Sequence, residues 1–337
     1  MFTFTPRRNG LLRAAPFALI AALGLAACGG YSGSGMTYGM STGGAPSKLF
    51  AADSPHMAIG SLANPNPPSG MIPVDRTIMG LNYTRLSNNI GSLALDPALD
   101  YLYVGNGTSI LVFYMASMAN GDTIPLRVIS GIGNTGSLFL DTTPNNRLYV
   151  GDDAFGVRVF NNASMINGPT ASTRVITGLG TVHGVAVDTG NDILYVSNTT
   201  SAASNQINLF TASTANGAAT PLKTITPTDG VNLPVGGISL DMASDRLYVA
   251  GFTDSKVRVF DAVHNTPGGT IQPTKTLTFP ATISSVTIDS TNNRLYAVSL
   301  GAIYILNGAS AATDPITVTA ILVPTNGSFT AVAVNPM

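Results

Sequence analysis

The feature that most constrains this chain is a phrase that returns. "NRLYVGDDAFGVRVF", Asn146 to Phe160, comes back as "DRLYVAGFTDSKVRVF", Asp245 to Phe260. Both belong to a longer repeat. A short apolar run closes at Asp96, Asp141, Asp188, Asp241, Asp289 and Asn335, at intervals of 45 to 53 residues. Six or seven residues after each of the first five comes a second run, centred on Tyr103, Tyr149, Tyr195, Tyr248 and Tyr296. A polar loop follows, then a third run ending at Phe113, Phe160, Phe210, Phe260 or Leu306. The fourth, as in "PLRVISG", "STRVITG" and "PLKTITP", follows turns carrying Asn120-Gly121, Asn167-Gly168 and Asn216-Gly217.

Four short strands in each unit predict the blades of a β-propeller. The first run is apolar at nearly every place, as a strand packed on both faces would be. Its middle residue is usually small (Ala94, Ala186, Ser239, Thr287, Ala333), which crowding near a central axis would require. Arg76, Arg127, Arg174, Lys223 and Lys275 recur on the fourth run, where an exposed charge discourages edge-to-edge pairing between molecules. The 36 glycines and 21 prolines suit strands joined by tight turns. A duplicated β-sandwich is the alternative, but a sandwich does not require six near-identical units.

The two ends complete the count. "SKLFAAD", Ser47 to Asp53, reads as a second strand that lacks a first, and "FTAVAVNPM" is a first strand that lacks a second. Together they predict an all-β fold over 47–337. It is a six-bladed propeller of four-stranded antiparallel blades, its ring closed where the C-terminal strand joins the N-terminal blade.

The run "GVAVD" followed by "LYV", with its "NRLYV" and "DRLYV" variants, resembles NHL and YVTN-type β-propeller repeats. The resemblance covers nearly all of 47–337 and implies the fold far more than an activity. Such propellers include extracellular lactonases and sugar-acid dehydrogenases, and also recognition modules without chemistry. The gluconolactonase and regucalcin family, similar in outline, holds a divalent cation with a Glu beside Asn and Asp. This chain has no Glu, and the residues read as entering the inner strands are mostly neutral: Asn89, Thr135, His183, Val235, Ser284 and Thr330. Quinoprotein propellers depend on Trp, which is also missing. No metal or cofactor is therefore expected. The histidines, His56, His183 and His264, occupy unrelated places in the repeat, so no His/Asp general base is legible. A formal net charge of −1, with no basic run and no phosphate loop, argues against nucleic acid.

Ahead of the repeats, 1–27 has the layout of a secretory signal: Arg7, Arg8 and Arg13, then an apolar run from Ala14 to Ala27. Its end, Leu25-Ala26-Ala27-Cys28, resembles the lipobox of bacterial lipoproteins. That resemblance implies lipidation of Cys28, a membrane partner through the lipid, and a place in the bacterial cell envelope. The Gly- and Ser-rich stretch 28–46 reads as a flexible tether.

Two sets of polar residues are candidates for a binding face. Asp53, Asn106, Asp152 and Asn198 end the second strands at equivalent places, with Gly251 and Ser299. They form either a ring of acceptors on one face or a turn-capping residue multiplied by the repeat, the reading preferred here. Asp153, His183 and the Thr199–Gln206 loop, with Asn205 and Gln206, lie on the face where second strands give way to variable loops. His183 is either a channel-mouth group or a hydrogen-bonded structural histidine. The expected function is a non-catalytic envelope lipoprotein whose propeller binds or assembles with an envelope protein or extracellular ligand. A lactonase-like enzyme and a cell-surface structural component are the alternatives.

Overall fold

The computed structural model describes residues 45–70, 73–143, 146–200, 205–228, 235–324 and 327–336. Signal, Cys28 and all of the tether but Ala45 and Pro46 lie outside the described residues. Among the described residues the regular elements are strands and two 3₁₀ turns, and the strands form six sheets. Blade two shows the pattern, from the axis outward: Ile90–Asp96, Tyr101–Asn106, Ser109–Tyr114 and Arg127–Ser130, all antiparallel. Blade one is built from both ends of the repeat region. Phe329–Val334 pairs with Leu49–Asp53, in the register Leu49↔Val334 and Ala51↔Val332. Ala58–Leu62 and Arg76–Ile78 complete it. The expected closure is therefore present.

Size complementarity explains the strand pattern. The five repeat tyrosines are fully buried. Opposite four of them in the ladder stand small middle residues, Ala94 facing Tyr103, Ala186 facing Tyr195, Ser239 facing Tyr248 and Thr287 facing Tyr296. Ala333 likewise faces Phe50. Blade three departs from the pattern, since Phe139 faces Tyr149 there with the rings edge to face, 6.4 Å between centroids. The axis encloses a cavity of about 710 Å³ lined by the first strands of all six blades.

Residues before the second strand explain the "N/D-R-L-Y-V" spelling. Asp100, Asn146, Asp192, Asp245 and Asn293 all adopt left-handed backbone, with φ between 41° and 56°. Asn and Asp tolerate that region better than other side chains. Four of them also accept a backbone N–H from the turn after the third strand: those of Ser117, Ser164, His264 and Ser310. One residue thus makes the turn and ties two turns together.

The outer strands depart from expectation. Their basic residues are not free surface charges: Arg76 donates to the Ala45 carbonyl at 2.9 Å, and the other four reach carbonyls of the next blade. Arg127 donates to Ser164, Arg174 to Ala212 and Ala215, Lys223 to His264, and Lys275 to Ser310. The Asn-Gly turns are straps. Asn120 Oδ1 accepts the N–H of Thr77 in the preceding blade at 3.0 Å, Asn167 that of Val128 at 3.0 Å, and Asn216 that of Val175 at 2.9 Å. Asp314 does the same for Thr278 at 2.9 Å. The glycine after each Asn, at φ 72°, 77° and 64°, lets the chain turn back immediately. Each blade's open edge is thereby covered by its neighbour, which removes the pairing liability of an edge strand.

Candidate functional site

The first strand of a blade enters from the face that carries the loops after second strands, and there the ladder is bulged. Ile90 and Ser92 pair with Asn106 and Gly105, leaving Gly91 as the extra residue. Gly136 is the extra residue in blade three, His183 in blade four, and Gly236 with Gly237 in blade five. Glycine has a reason to sit there. A Cβ on Gly91 would come within 2.5 Å of the Thr135 carbonyl, and one on Gly236 within 2.6 Å of the Ser284 carbonyl. His183 breaks this rule. Its true equivalents are Gly91, Gly136 and Gly236, whereas Asn89, Thr135 and Val235, set beside it from sequence, fall one or two places earlier in the ladder.

The His183 side chain lines the cavity and lies against the ring of Phe252, 5.5 Å between centroids and 29° between planes. Its Nε2 is 3.0 Å from Thr199 Oγ1, and that hydroxyl donates to Asn205 Oδ1 at 2.8 Å. A hydroxyl has one proton to give. With the Thr199 hydroxyl given to Asn205 Oδ1, the Thr199 oxygen is matched by a proton on Nε2, and Nδ1 makes no hydrogen bond among the described residues. Burial holds the imidazole below the usual histidine range, against the opposing pull of the Asp153 carboxylate.

Asp153 is exposed at the same mouth, on the blade-three loop. Asn134 Nδ2 donates to Asp153 Oδ2 at 2.9 Å, and Asn89 Nδ2 donates to Asn134 Oδ1 at 2.9 Å. Phe252 and Leu300, 49% and 69% exposed, complete the rim. The structure thus brings Asp153, His183, Thr199 and Asn205 together. Sequence reading missed Phe252, Leu300 and Asn134. The legible signal was the residue five places before each closing Asp, glycine before Asp96, Asp141 and Asp241, serine before Asp289 and histidine before Asp188.

The remaining candidates hold the fold. Asp152 is buried, accepts the N–H groups of Gly133 at 2.7 Å and Ala154 at 2.9 Å, and pairs with Arg158 Nε at 2.8 Å. Asn106 accepts from Ser87 N–H at 2.7 Å and donates to the Arg85 carbonyl at 3.1 Å. Asn198 donates to the Leu179 carbonyl and accepts from Asn208. Asp53, fully buried, pairs with His56 Nδ1 at 3.0 Å and faces the Ser328 N–H. Each ties the end of a second strand to the chain arriving from the previous blade. Gln206 is half-buried opposite Asn198, and residues 201–204 of its loop lie outside the described residues. The His/Asp pairing not legible in sequence exists twice as a direct contact, His56 with Asp53 and His264 with Asp245. The first lies within one turn, and the second joins the two turns that flank the second and third strands of blade five. Among the described residues no group of three or more His, Cys, Asp or Glu side chains converges as a metal site.

No family model matches this chain, and no curated protein does. Matching solved structures number 1131 chains. One, a crystal structure of a nidogen/laminin complex, aligns with a TM-score of 0.59 at 16% identity, over 86% of this chain and 97% of that one. The fold is a six-bladed β-propeller. At this identity the likeness is one of fold alone.

Proposed function

We propose that the chain is a lipid-anchored protein of the bacterial envelope, held through Cys28, whose propeller is a non-catalytic binding module for an envelope protein or extracellular ligand. One contrast supports this reading. On the face of the Asn-Gly turns, the repeated polar groups are occupied by straps and turn caps between blades. On the opposite face the second-strand ends are tied likewise, but there Asp153, His183, Phe252 and Leu300 surround an open cavity. Polar loops on a rigid frame are a common place for recognition. The solved neighbour is a complex of nidogen and laminin, which suits a propeller used for binding.

Capture from solubilised membranes tests it. Full-length protein should retain a specific partner, and a variant carrying Asp153→Asn and Phe252→Ala should lose it with an unchanged melting temperature. Asn120→Ala should keep it. Cys28→Ala should move the protein from the membrane to the soluble fraction, because stable anchoring needs more than one acyl chain. Retention of Cys28→Ala in membranes would defeat the anchor, and cross-links falling on the Asn-Gly turns would defeat the choice of face.

A further inference from the structure

We propose that the mouth of the axial cavity is a binding site for a primary ammonium group carried on an apolar stem. The inference rests on this face being the working one, but neither on the anchor nor on a protein partner.

Charge is the first observation. Among the described residues lining the cavity there is no Lys or Arg, and the one carboxylate is Asp153. An anion entering would find no cation and would meet that carboxylate.

Acceptors are the second. The Asn89–Asn134–Asp153 chain of hydrogen bonds orients the carboxylate through Oδ2. Its other oxygen lies over the inner strand, since a Cβ on Gly136 would come within 3.4 Å of Asp153 Oδ1. The same Cβ would come within 3.1 Å of the Val182 carbonyl. On the adjoining blade His183 presents Nδ1, an acceptor by the proton count given above. Carboxylate and imidazole nitrogen accept hydrogen bonds, a backbone carbonyl lies beside the carboxylate, and an ammonium has three donors to share among such oxygens and nitrogens. No other common group of one positive charge offers three donors on so small a head.

Surroundings are the third. Phe252 is half exposed beside His183, and an aromatic ring near a partly desolvated cation adds attraction. Beneath the mouth the cavity is walled by Leu138, Leu140, Ile238, Leu240 and Ile288 from three blades. An alkyl stem of several carbons would be removed from water there. The replacement of the repeat glycine by histidine falls at this one place.

Such a group occurs on a free alkylamine or on a lysine side chain. The probes are n-hexylammonium, n-hexanol and hexanoate, with Nα-acetyl-lysine amide as the peptide-borne form. Each is titrated calorimetrically into full-length protein in detergent. n-Hexylammonium is expected to bind saturably, about tenfold or more tighter than n-hexanol, with hexanoate weaker still. Asp153→Asn should erase the preference for the ammonium over the alcohol and leave the melting temperature unchanged. Binding of the lysine amide as well assigns the source to a peptide, and binding of the free amine alone assigns it to a small molecule. Either supports the site. Equal affinity for the three head groups, no saturation in the millimolar range, or an unaltered preference in Asp153→Asn overturns it. Should membrane capture succeed while hexylammonium fails, this inference falls and the binding module stands; the reverse result sinks the module reading and keeps the site.

Discussion

Closure of the ring rests on Phe329–Val334, and Phe329 offers the sharpest test of it. Its side chain is 4% exposed and belongs to the apolar cluster between blades six and one, with Leu49, Tyr296, Val298, Ile303 and Ile305. Those partners sit on three strands, and only Leu49 shares a sheet with Phe329. Phe329→Ala removes a buried ring and leaves a void at a seam whose backbone is held on both sides. Large-to-small changes of this kind cost about 3–5 kcal/mol. That is a large share of the roughly 5–15 kcal/mol that stabilises a typical domain. At roughly 2–4 °C per kcal/mol for a chain of this size class, the melting temperature should fall by about 10 °C. The control is Leu81→Ala, a side chain 80% exposed, for which a change within about 0.5 kcal/mol is expected. Urea unfolding followed by circular dichroism measures both. If the two variants unfold at the same urea concentration, the C-terminal strand does not close the ring. Where Phe329→Ala fails to fold at all, a chain lacking 329–337 mixed with the matching synthetic peptide provides the second measurement. Failure of that peptide to raise the melting temperature counts equally against closure.

Two further outcomes are expected. Asn167→Ala removes the strap on the Val128 N–H and should cost about 0.5–1.5 kcal/mol in urea unfolding, whereas Asn161→Ala, exposed just past the third strand, should cost almost nothing. His183 binds its proton less readily folded than unfolded, because burial outweighs the charge of Asp153. Its contribution is therefore present above the unfolded value of about 6.5 and is lost progressively as pH falls from there through the lower folded value. Between pH 8 and pH 5 the parent should lose more melting temperature than His183→Asn; equal losses would show that the imidazole is not held neutral.

Much of the fold was legible in the sequence because a propeller repeats its own local physics. Each unit must alternate an apolar first strand, a tyrosine-bearing second strand and a short turn. The period, the strand order and the split blade all follow from counting such phrases along the chain. The buried Asp152, Asn106 and Asn198 were also legible as capping groups, since a capping residue recurs with the unit it caps.

What counting could not supply lies between blades. Asn167 reads locally as half of a turn, but its partner, Val128, sits 39 residues earlier on another sheet. Arg174 reads as a surface charge until the next blade brings the Ala212 and Ala215 carbonyls to it. The mouth depends on a bulge, which inserts one residue into a strand and shifts every later correspondence by one place. Alignment from the loops therefore set His183 beside Asn89 and Thr135, while the ladder sets it beside Gly91 and Gly136. The sequence determined the blades, because their hydrogen bonds join neighbours along the chain. Only the closed ring decided the site, because its walls, His183, Asp153 and Phe252, come from three consecutive blades set around one axis.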